Sequence, residues 1–229
     1  RQLLQHKDYA LLLAGTYIKH EQKLDAENVL MQLRQLYGAD PGILLMSAHL
    51  LNTRGQAQQA IDMLEQSHIP VYDNYNHTLA ALYLNAGNYE KSLTLSKALI
   101  TIDPNNVAYG LLEIKSLIAL NRPDEAATGI ESLYRSHGNE PEVKFEYARL
   151  LFNQGKLHDA KTQLTSLMRA FPEHSLYRLT LSEVEYSLGQ YESAIELLEV
   201  LTQSAKYRHQ ALVKLGLIYQ QQNQFEDSL

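Results

Sequence analysis

The chain has 229 residues, of which 45% are hydrophobic and 20% charged, and it carries a net charge of −6. It can bury a sizeable core, and it offers no basic excess for nucleic-acid phosphates. Cysteine is absent, which excludes disulfides, thiolate metal sites, iron–sulfur clusters and cysteine nucleophiles. The longest apolar runs, such as 10–15 and 43–46, are far too short to cross a bilayer. No leader pattern opens the chain. A start without methionine and an abrupt stop predict a piece of a longer protein.

One phrase organises the sequence. It reads Asn85-Ala86-Gly87-Asn88-Tyr89-Glu90-Lys91-Ser92, and it recurs as Asn153-Gln154-Gly155-Lys156-Leu157-His158-Asp159-Ala160. It returns at Ser187-Leu188-Gly189-Gln190-Tyr191-Glu192-Ser193-Ala194 and at Gln221-Gln222-Asn223-Gln224-Phe225-Glu226-Asp227-Ser228. A Gly or Asn turn is followed by an apolar residue two later and a small residue five later. Counting back from these turns divides the chain into helix–turn–helix units, all in one array spanning 1–229.

The first unit is 7–40. The second, 41–72, is two residues short and passes through Ile69-Pro70-Val71-Tyr72, where we expect either a local change of superhelix pitch or simply a shortened loop. The third, 73–106, predicts helices over about 74–86 and 89–102, ended by Pro104. The fourth, 107–140, carries Glu113 where an apolar residue is expected. The fifth, 141–174, is ended by Pro172, and the sixth, 175–208, holds Glu185 at another apolar position. The seventh, 209–229, stops early in its second helix, so Phe225 and Leu229 are expected to lack a full partner layer.

The eighth position of successive units reads Ala14, Ala48, Ala80, Ile114, Ala148, Ser182 and Gly216. The twentieth reads Ala26, Ala60, Ser92, Ala126, Ala160, Ala194 and Ser228. Small residues at these places let two antiparallel helices approach closely. The twenty-fourth and twenty-seventh positions are mostly Leu and Ile, as expected for the layer between hairpins.

With this period and these positions in phase over nearly the whole chain, the sequence resembles the tetratricopeptide repeat family. The family's tryptophan at position four is absent throughout. The resemblance implies an all-α fold, a right-handed α-solenoid of antiparallel helix pairs. It also implies a protein-interaction scaffold that takes a peptide or partner domain in a groove lined by the first helix of each unit. The groove positions select His49, Asn52, His77, Leu84, Asn85, Lys115, Ile118, Arg149, Phe152, Asn153 and Tyr186. Leu84, Ile118, Phe152 and Tyr186 would form an apolar strip across units three to six, with Ile118 and Phe152 also able to pack between helices. Lys115 and Arg149 beside the strip hint at an acidic ligand. The family's clamp for chaperone tails needs a lysine at position five. Here that position reads Leu11, Leu45, His77, Leu111, Phe145, Leu179 and Val213, so the clamp is missing.

No zinc-protease helix, phosphate loop or nucleophile elbow is present. We expect no enzyme, cofactor or metal. His49 and His77 are the pair to watch, read first as polar groove residues. A sequon at Asn76 falls within a predicted helix and is read as accidental. The alternative function is a spacer or self-assembly module that packs end to end, and an enzyme or small-molecule sensor is a remote third. The cysteine-free, Gln-rich style suggests a bacterial protein. Cytoplasm and periplasm both fit, with envelope assembly as the expected setting.

Overall fold

A computed structural model describes residues 6–67 and 73–226. The expected change of pitch at 69–72, and the side chains of Phe225 and Leu229, lie outside what is described. Thirteen helices and no strand form among the described residues. They are α1 (Lys7–Lys19), α2 (Lys23–Tyr37), α3 (Pro41–Thr53), α4 (Ala57–Gln66), α5 (Asp73–Asn85), α6 (Tyr89–Ile102) and α7 (Val107–Ala119). There follow α8 (Pro123–His137), α9 (Pro141–Asn153), α10 (Leu157–Ala170), α11 (Ser175–Ser187), α12 (Tyr191–Leu201) and α13 (Arg208–Glu226). The fold is an all-α helical repeat.

The chain forms two compact halves, Arg1–Ala126 and Ala127–Leu229, divided within α8. In the N-terminal half α1/α2, α3/α4 and α5/α6 pair as hairpins, and α7 packs on α6. In the C-terminal half α9/α10 and α11/α12 pair, and α13 packs on α12. First helices also touch their neighbours, α1 to α3, α3 to α5 and α5 to α7 in one half and α9 to α11 in the other.

Six turns share one geometry. At each, the residue after the first helix's cap adopts a left-handed conformation: Glu21, Gly55, Gly87, Asn121, Gly155 and Gly189, with φ between 56° and 83°. Its N–H donates to a carbonyl three residues back, and the next N–H reaches a carbonyl five back. Gly155 to Phe152 at 3.0 Å and Lys156 to Leu151 at 2.9 Å are one such pair. This is a Schellman cap, which satisfies two orphan carbonyls and reverses the chain. Glycine takes the conformation without cost, whereas Glu21 at φ 60° does not.

Small residues sit where the period places them. Ala14, Ala26, Ala48, Ala60, Ala80, Ala148, Ala160 and Ala194 have no exposed surface. Around them pack leucines such as Leu33, Leu64, Leu99 and Leu164, also fully buried. Buried serines keep the interior satisfied: Ser116 Oγ donates to Leu112 O at 2.8 Å and lies 2.8 Å from Ser92 Oγ. No described buried side-chain nitrogen or oxygen lacks a partner.

The seventh unit departs from its expected form. A turn at Asn223 is expected there, but α13 runs unbroken from Arg208 to Glu226. In five of the six turns a second helix packs back on the first and offsets the left-handed residue. No helix follows α13 among the described residues, and its Gln220-Gln221-Gln222 run favours continued helix.

Candidate functional site

Two faces made by first helices carry recesses, one in each half. In the N-terminal half α1, α3 and α5 lie side by side because their small eighth residues face the second helices. Their opposite sides are thereby left without a covering helix. Leu11, Leu45, Met46, Ala81 and Leu82 line a recess of about 510 Å³ together with His49, Asn52, His77 and Thr78. A further hollow of about 580 Å³ continues along α1 past Leu12, Gly15 and Lys19, sharing Leu11 and Met46. The flexible Met46 thioether thus bridges two subsites.

The structure brings His49, Asn52 and His77 together as neighbours in that first recess. His77 is half-buried, and its ring lies 5.6 Å from that of Tyr109. Burial lowers its pKa below the usual 6.5, which keeps it a neutral donor and acceptor at pH 7. Asn85 Nδ2 donates to Asn52 Oδ1 at 3.0 Å, so these two amides orient each other across adjacent helices. Among the described residues no group of three or more His, Asp or Glu side chains converges as a metal site. Leu84 is half-buried on α5, while Lys115 and Ile118 are exposed on α7.

In the C-terminal half a recess of about 350 Å³ lies among α9, α11 and α13. Phe152, Tyr186, Leu198, Leu217 and Ile218 supply its apolar walls, and Ser182, Ser187, Glu183 and Lys214 its polar ones. Lys214 Nζ lies 2.8 Å from Glu183 Oε1, which balances both charges. The Tyr186 hydroxyl donates to Gln221 Oε1 across to α13. Phe152 is half-buried against the cluster of Ala148, Leu151 and Leu164, so it serves core and recess at once. Asn153 is exposed beside it.

Arg149 differs from its expected role. It is not a free cation beside Phe152: Nη1 donates to Glu146 Oε2 at 2.9 Å, and that carboxylate is buried. The guanidinium also lies over the Phe145 ring, 5.9 Å from its centroid. Residues at i and i+3 on one helix face the same way, a pairing legible in Glu146 and Arg149 once both are placed on α9. Lys214, Leu12 and Met46 also line the recesses, and the groove residues expected from the sequence do not include them. Leu12, Met46 and Lys214 are all the sixth residue of their units, a place that none of the groove residues named from the sequence occupies.

Models of the tetratricopeptide repeat match residues 111–160 and 145–209, and a second such model matches 74–106. The chain belongs to the tetratricopeptide repeat family. The TPR repeat-containing protein YpiA of Bacillus subtilis (strain 168) is 21% identical over 153 residues, 67% of this chain. That alignment spans 36% of YpiA, so the chain matches about a third of that relative's length. TTC0263, a thermophilic TPR protein of Thermus thermophilus, superposes with a TM-score of 0.65 at 16% identity, over 77% of this chain and 97% of that one. PilF of Pseudomonas aeruginosa also gives 0.65, at 12% identity, over 93% and 100% of the two chains. YrrB, described as a TPR protein with an unusual peptide-binding site, gives 0.52 at 16% identity, over 81% and 96%. These likenesses show the helical-repeat fold. Tetratricopeptide repeats as a class mediate protein–protein interaction. No described helix is long and apolar enough to cross a membrane.

Proposed function

We propose that this tetratricopeptide chain is a scaffold whose first-helix faces each take an uncharged, apolar-anchored segment of a partner protein. The observation that carries this reading is the make-up of the two recesses. Each joins an apolar floor to a few directed polar groups, His49, Asn52 and His77 in one and Ser187 with the Glu183–Lys214 pair in the other. The floor supplies desolvation energy, and the polar groups set register. Asn85 and Asn153 extend those polar edges, and Leu84, Lys115 and Ile118 extend the N-terminal face along α5 and α7. An acidic partner is a weaker fit than the sequence suggests, because Arg149 and Lys214 already face carboxylates. Bacterial relatives support a bacterial setting, and envelope assembly is our proposal for its pathway.

Selection of short random peptides displayed on phage tests the reading. The wild-type chain should enrich a common motif rich in apolar residues. His49→Ala with Asn52→Ala, or Phe152→Ala with Tyr186→Ala, should lose at least tenfold of that enrichment while keeping the helical circular-dichroism spectrum. Enrichment that neither pair of substitutions changes would sink the assignment of these faces.

A further inference from the structure

The recess of the N-terminal half is uncharged, and its ionisable side chains are two imidazoles. None of its ten lining residues is Asp, Glu, Lys or Arg. His77, on α5, is half-buried in the wall, and His49, on α3, stands exposed at the rim. Leu11, Leu45, Met46 and Leu82 give the apolar surface around them. The helices packed on α5 are α3, α4, α6 and α7. From α3 comes His49. From α4, Glu65 accepts the Tyr83 hydroxyl, and from α6, Lys91 lies over the same Tyr83 ring, 4.9 Å from its centroid. From α7, the Tyr109 ring lies 5.6 Å from that of His77, while Glu113 and Lys115 are not among the lining residues. On α5 itself the acid is Asp73, one helical turn before His77. Among the described residues, burial and no neighbouring charge accounts for the lowered His77 pKa.

An imidazole in such a place resists protonation, because the cation would lose water and gain no anion. A partner segment seated on the recess takes further water from both rings. The neutral forms are then favoured more strongly in the complex than in the free chain. By linkage, binding expels any proton that the rings carry. Affinity is therefore complete above the free-state titration of the rings and falls as pH drops through it. An acidic segment would reverse the sign, since a carboxylate favours the imidazolium. The C-terminal recess holds no histidine, and its Glu183 and Lys214 balance each other. We propose that acid releases an uncharged partner segment from the N-terminal recess, with His77 and His49 as the proton acceptors. The proposal rests on the reading of that recess as a partner site.

Phage selection at pH 7.5, from a library lacking His, Asp, Glu, Lys and Arg, supplies a probe that cannot titrate. The probe is a capped, dye-labelled peptide whose enrichment is lost in His49→Ala with Asn52→Ala. Fluorescence anisotropy should show it binding about tenfold more weakly at pH 5 than at pH 7.5. His49→Gln with His77→Gln should bind it equally at both pH values, at whatever affinity remains, and Asp73→Asn should keep the wild-type ratio. The titration midpoint of the His77 ring, followed by NMR, should fall when the peptide is bound. Circular dichroism checks that each chain keeps its helicity in acid. Equal affinity at both pH values overturns the proposal, and so does tighter binding in acid. So does a ratio that survives in the double Gln variant or vanishes in Asp73→Asn, since other groups then set it. An equal fall for a peptide that depends on Phe152 and Tyr186 also overturns it, because the C-terminal recess has no imidazole to protonate. A chain that enriches no peptide at pH 7.5 fails the partner-site reading and this proposal with it. A peptide bound alike at both pH values fails this proposal alone.

Discussion

Glu185 stands where other units place Leu51, Leu117 and Leu151. Its carboxylate is buried, and Lys161 Nζ reaches it at 2.9 Å while also donating to Gln190 Oε1 at 2.6 Å. Breaking one side of such a pair costs more than replacing the charge by a fitting apolar group. Lys161→Met should therefore lower stability by about 2 kcal/mol, less than for a fully buried pair because Lys161 is partly exposed. Glu185→Leu should be neutral or stabilising. Urea melts of both variants decide this, and the expectation is wrong if Glu185→Leu is the worse of the two. Tyr83 presents a pH effect at the same scale. Burial first, and then its hydrogen bond to Glu65, push its pKa up to about 12. A raised folded-state value means the contribution is complete below the unfolded value near 10 and is lost as pH rises toward 12. Thermal melts should fall across that window, and Tyr83→Phe should flatten the fall.

At the scale of the element, the Schellman turns carry the repeat. Their left-handed residue is glycine four times, asparagine once and glutamate once. Glu21→Gly should raise stability by about 0.5–1 kcal/mol by relieving a side chain in that conformation. Gly87→Ala, at φ 83°, should lower it by about 1 kcal/mol. Gly87 has no neighbour within 4 Å of an added methyl, so the loss reports backbone conformation and not a clash. Opposite signs in thermal melts bear this out, and equal signs reject it. The unbroken α13 shows the reverse case. The turn phrase is present at Asn223, yet the backbone stays helical through Glu226.

For the whole molecule, each half has its own buried clusters. Leu64 sits with Ala48, Ala60 and Leu82 in one, and Leu164 with Ala148, Ala160 and Leu181 in the other. Repeat folds hold stability in nearest-neighbour contacts, so damage spreads by adjacency. Leu164→Ala should cost about 2–5 kcal/mol, read by hydrogen exchange as lost protection in α9, α10 and α11. Amides of α3 and α5 should keep most of theirs. Equal loss in both sets would mean that the chain unfolds as one cooperative body.

Much of this was written in the order of residues alone. A small residue every unit, a glycine or asparagine at every described hairpin turn but the one at Glu21, and proline after two second helices specify hairpins, because close helix crossings and left-handed caps tolerate few side chains. That His49 and His77 line one recess follows from the same period, since the ninth and fifth positions of a unit lie one helical turn apart on one side of its first helix. Other features needed the packed chain. Arg149 pairs with Glu146, Lys214 with Glu183, and Met46 bridges two hollows, because a long side chain can turn to any partner within its reach. The repeat pattern says which way each Cα–Cβ bond points, but only the surrounding helices decide where the end of the side chain comes to rest.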